Sequence, residues 1–119
     1  MNEAVPTADE RLLRLSGLGR FAEVLELGRS RLASGPRTCL LAELTAQSAE
    51  RTGRLNELTV ELQEALRQDM DDDILLMALA IALREQQAYG RARNLLALAI
   101  RRGAPCPEAY LDFVELSRN

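Results

Sequence analysis

Positions 34 residues apart carry matching residues along this chain. Gly19 and Gly53 are one such pair. Phe21, Leu55 and Tyr89 form a second series, and Leu32, Leu66 and Ile100 a third. Behind each member of the second series runs a segment with helical spacing: Phe21 to Leu25, Leu55 to Thr59, and Tyr89 to Arg93. A period of this length, with two helices per unit, belongs to stacked repeat architectures. One such unit cannot bury its apolar face alone. Neighbours must stack, and stacking leaves a long concave surface suited to another polypeptide. The expected fold is therefore all-α, an antiparallel helix-pair solenoid of about seven helices.

The bulk composition agrees. At 119 residues the chain is expected to be one domain. Aromatics are only 3% while apolar residues reach 47%, so the core must be built from Leu, Ala and Ile. The residues that favour strands are sparse. Net charge is −3, all 15 basic residues are arginine, and lysine and histidine are missing. The first residues, Met1 to Pro6, are acidic and lack an apolar run, so they do not read as a signal peptide. The longest apolar run, Ile74 to Leu83, is half of the about 20 residues that a membrane span needs. Cys39 and Cys106 open two different units. In a cytosolic helical protein such a pair is usually reduced and structural, and a cytoplasmic setting is expected.

Local signals place the helices. Thr7 and Glu10 form a capping box for the first, which Gly17 and Gly19 end. The second runs from about residue 20 to Ser34, stopped by Gly35 and Pro36. Thr38 caps the third, Gly53 breaks it, and the fourth carries Leu55, Leu58, Leu62, Ala65 and Leu66. Asp71, Asp72 and Asp73 open the fifth. Gln87 stands where the turn glycine is expected. The sixth covers Arg91 to Arg102, and Gly103 and Pro105 close it. Pro107, a good first-turn residue, starts the seventh. The expected units are 5–38, 39–72 and 73–106, with a capping helix at 107–119 over the edge made by Leu79, Leu83 and Leu96.

These residues resemble the tetratricopeptide repeat family over nearly the whole chain. That family places a glycine at the turn between helices, an aromatic two later, an alanine three after that, then an Ala-Leu pair and a proline. The first unit matches with Gly19, Phe21, Leu32 and Pro36, the second with Gly53, Ala65 and Leu66, and the third with Tyr89, Ala92, Ala99 and Ile100. Val24 and Leu58 depart from the pattern by replacing small residues, Arg31 by breaking the pair, and Met70 by standing where proline is usual. The resemblance implies a protein-binding module whose first helix in each pair lines a concave groove. A weaker likeness, of size and architecture only, is to the small tetratricopeptide-type chaperones of bacterial type III secretion. A subset of the family grips peptide C-termini with groove lysines; this chain, with none, does not resemble it.

Catalytic chemistry finds little support. Without histidine there is no imidazole base, no Ser-His or Cys-His nucleophile and no ordinary zinc site. No glycine-rich phosphate loop is present. The acids Asp69 and Asp71 to Asp73 fit a helix start, where they complement the dipole, better than a metal site. Arginines are dispersed among more numerous acids, so nucleic acid is not an expected partner. No enzyme activity, cofactor, metal or membrane is expected. The informative segment is Ile74 to Leu83, which has no polar residue for nearly three turns, where an amphipathic helix would show a polar face. In the family's geometry Ile74, Met77 and Ile81 face the groove. Leu40, Leu44 and Gln47 are their counterparts one unit earlier, and Leu111 one unit later. This reading makes the chain an adaptor or small chaperone holding an amphipathic or extended segment of another protein. Two alternatives stand beside it: the helix is covered on all sides by its own chain, or the groove or an end surface makes a homo-oligomer or a subunit contact in a larger assembly.

Overall fold

Helix starts recur at the period of the sequence. In the computed structural model, which describes residues 7–118, the elements are α1 (Ala8–Gly17), α2 (Phe21–Ala33), α3 (Cys39–Arg51), α4 (Leu55–Gln68), α5 (Asp73–Glu85), α6 (Tyr89–Arg101) and α7 (Pro107–Ser117). There is no strand among the described residues. Helices α2, α4 and α6 begin on Phe21, Leu55 and Tyr89, and α3, α5 and α7 on Cys39, Asp73 and Pro107, both at the 34-residue step.

The helix ends follow from local chemistry. Thr7 accepts from the Glu10 amide at 3.1 Å, and its hydroxyl donates to the Glu10 carboxylate at 3.2 Å. Thr38 accepts from the Leu41 amide at 3.1 Å, and Asp72 from the Leu75 amide at 2.9 Å. Each occupies one of the free amides of a helix start. At the other end, α1, α3, α5 and α6 close in the same way. The amide of the residue after the turn bonds back across six residues: Arg20 to Leu15, Arg54 to Ala49, Ala88 to Leu83 and Ala104 to Ala99, each at 2.8–2.9 Å. That closure needs a left-handed residue. Gly19, Gly53 and Gly103 supply it, and Gln87 does so at φ 67°.

Successive pairs stack. Helix α3 packs on α2 and α5, α5 on α4 and α6, and α7 on α6, giving a body of 49 × 29 × 27 Å. The α2–α3 contact is close because Gly28 faces Thr45: a Cβ there would lie 2.0 Å from the Thr45 hydroxyl oxygen. Arginines tie one unit to the next. Arg37 reaches the Leu32 carbonyl at 2.9 Å and pairs with Asp69 at 3.1 Å and Asp72 at 2.9 Å. Arg102 takes the Met70 carbonyl at 3.2 Å, Asp71 at 3.2 Å and Asp73 at 3.3 Å. Arg29 pairs with Glu61. The acidic run therefore serves as a cap for α5 and as the socket for two arginines.

Candidate partner-binding face

Helix α5 is where the sequence places the groove. Its residues Leu75 to Leu83 are all buried. Little on this stretch needs water: every side chain is apolar, Asp72 takes the Leu75 amide, and the Ala82 and Leu83 carbonyls accept from Gln86 and Ala88 past the helix end. Three sides are covered by α3, α4 and α6. The fourth is closed by α7. Cys106, at the start of α7, is joined by a disulfide to Cys39, the first residue of α3, with a Cα–Cα distance of 5.6 Å. Helix α7 packs on α6, is tied at its start to the start of α3, and reaches the end of α5 through Asp112 and Arg84, so that it lies over the remaining side of α5.

A charged contact fastens the same closure further along. Arg84, in the last turn of α5, pairs with Asp112 of α7 at 2.6 Å and with Glu85 at 3.0 Å. Burial works against the charge on Arg84. The hydrogen bond with Glu85 and the fields of Asp112, Glu43 and Glu85 outweigh it, and the pKa is raised. Arg84 stays ionised between α3 and α7. The inward face of α7 is formed by Cys106, Ala109, Phe113 and Leu116; Ala109 is fully buried and Leu116 nearly so. Its outer face shows Tyr110, Leu111 and Val114 to solvent.

The residues assigned to the groove are divided by this arrangement. Met77 and Ile81 are each 1% exposed and Leu44 is 8% exposed. Leu40 and Ile74 are half-buried against the core. Gln47 is exposed, bonded to Glu43 at 3.1 Å, and Leu111 is 71% exposed. So Met77 and Ile81 lie inside the chain rather than open on a groove. The segment before Thr7, which could have supplied that cover, lies outside the described residues. The expectation of two separate, reduced cysteines also differs from the structure, where they form one bond. Their 67-residue separation gave no sign of it, because α7 was expected to cap the third pair rather than to reach back to α3. Arg84 was not singled out, and Asp112 was read only as an acidic residue at the edge of the groove. The legible signal at Arg84 was a charge that ends the apolar run of α5.

An open groove lies elsewhere, between α2 and α4. It has a volume of about 500 Å³, a floor of Leu32, Leu58, Leu62 and Ala65, and a rim that includes Glu26, Arg29, Glu61 and Glu64. No cluster of three or more metal-ligating side chains occurs among the described residues. None of the described helices is long and apolar enough to cross a membrane. No family model matches the chain, and a search of curated proteins finds no relative.

Proposed function

We propose that this protein is a non-enzymatic protein-interaction module of the tetratricopeptide kind, an adaptor or small chaperone that holds an amphipathic helix of a partner. The observation that carries this reading is the seating of α7. Helix α7 turns a small residue, an aromatic and a leucine at helical spacing, Ala109, Phe113 and Leu116, into the core, and its Asp112 pairs with Arg84 at the end of α5. A seat that takes one amphipathic helix takes others with the same pattern, which is how helix-in-groove recognition works. A cytoplasmic setting, in which Cys39 and Cys106 would be kept reduced, and a place among bacterial secretion chaperones are part of the proposal.

The test is an opening variant. Asp112→Arg sets a second guanidinium against Arg84 and weakens the hold on α7. With helix content unchanged by circular dichroism, the variant should capture more partner from the native cell than the wild type does. Equal capture by both would count against the seat as the binding surface. A second reading, a structural homo-oligomer, is favoured by the exposed stripe of Tyr110, Leu111 and Val114. The solution mass of the same preparations decides it: a tight dimer that captures nothing would put this reading first.

A further inference from the structure

We propose that the Cys39–Cys106 disulfide is a redox-operated latch: a dithiol reductant opens it, α7 leaves, and the α5 side becomes available to a partner's amphipathic helix. The inference rests on the helix-seat reading above and adds its regulation. Four observations support it.

The first is how little else holds α7. Ala109 and Leu116 are its only buried side chains among the described residues, with Phe113 half-buried, whereas α5 buries nine residues in succession. The N-terminus of α7 has no side-chain cap. A helix this short is marginal without tertiary support.

The second is the place of the bond. It joins the start of α7 to the start of α3, across 67 residues. A crosslink there keeps α7 at its seat, as an intramolecular tether keeps a ligand at high effective concentration. The third is the state left behind. When Asp112 departs, Arg84 keeps its bond to Glu85 and the field of Glu43, so opening strands no buried cation. The fourth is access. Cys39 is half-buried and Cys106 is fully buried, so the bond is less covered on its Cys39 side, where an incoming thiolate would attack.

The exchange balances. A thiolate of the dithiol attacks the Cys39 sulfur, the protein S–S bond breaks, and Cys106 leaves as a thiolate and takes up a proton. The second thiol of the reductant then closes on the first, releasing the Cys39 thiolate, which is protonated in turn. The protein gains two electrons and two protons, and the dithiol becomes a disulfide.

Hydrogen exchange on the full chain, oxidised and in dithiothreitol, tests the latch. In the reduced chain the α7 amides should exchange at least tenfold faster while those of α2 to α6 keep their protection. Full-length Cys106→Ser should behave like the reduced chain without any reductant. Equal protection of α7 in both redox states overturns the proposal. So does loss of protection throughout, which would make the disulfide a staple of the whole fold. A fluorescent peptide copying residues 107–118 is the probe for the seat. Saturable binding to the reduced chain alone supports both steps. Release of α7 without peptide binding leaves the latch standing and overturns the helix-seat reading.

Discussion

Gln87 carries a cost that its counterparts avoid. It sits at φ 67°, in the series of Gly19 and Gly53, and closes α5 with the same pair of backbone bonds. A side chain in the left-handed region crowds the following carbonyl by about 1–2 kcal/mol, which glycine escapes. Gln87 is exposed, so little side-chain burial offsets this. Gln87→Gly is therefore expected to stabilise the domain by about 1 kcal/mol and raise its melting temperature by about 4 °C, read by calorimetry. An unchanged or lower melting temperature would mean that the side chain contributes something the turn geometry does not show. The period made this position legible before the structure did: Gln87 was the residue out of place. Its neighbour Gln86 was not legible. It accepts from the Thr59 hydroxyl at 3.1 Å and donates to Asn56 at 2.6 Å, contacts between units that spacing alone does not specify.

At the scale of elements, α5 changes the expectation for substitutions on it. Had Met77 and Ile81 lined an open groove, a glutamate at either position would have stayed wet and spared the fold. Both are 1% exposed. A carboxylate placed there without a counter-charge costs several kcal/mol, a large part of the about 5–15 kcal/mol that holds a domain together. Met77→Glu and Ile81→Glu are expected to unfold the protein as Leu79→Glu does, seen as loss of helical circular dichroism at 25 °C. A folded Met77→Glu would show that water reaches this side of α5 in the unliganded chain. The helices themselves were legible almost to the residue, because caps such as Thr7, Thr38 and Asp72 and the turn at Gly53 act over four or five positions. The direction taken by α7 was not. Pro107 announces a helix start and Ala109, Phe113 and Leu116 an apolar stripe, but either an end cap or a helix folded back to α3 would use the same stripe. What decides is a long-range pairing, and a single sequence does not display it.

For the whole molecule, the consequence is a solenoid-like stack whose last helix turns back toward α3 instead of only extending the stack. The stack is fastened by arginine sockets at each joint, Arg37 to Asp69 and Asp72, Arg102 to Asp71 and Asp73. Its one disulfide joins the covering helix α7 to α3, at the edge of the covered face. The return of α7 to α3 over α5 has a direct chemical test. Purified protein kept free of reductant is treated with an alkylating agent before denaturation and then digested with trypsin, which cuts after arginine. One species is expected, in which peptide 38–51 is linked to peptide 103–118 and which separates into the two on reduction. Recovery of these two peptides unlinked, each carrying an alkylated cysteine, would contradict it.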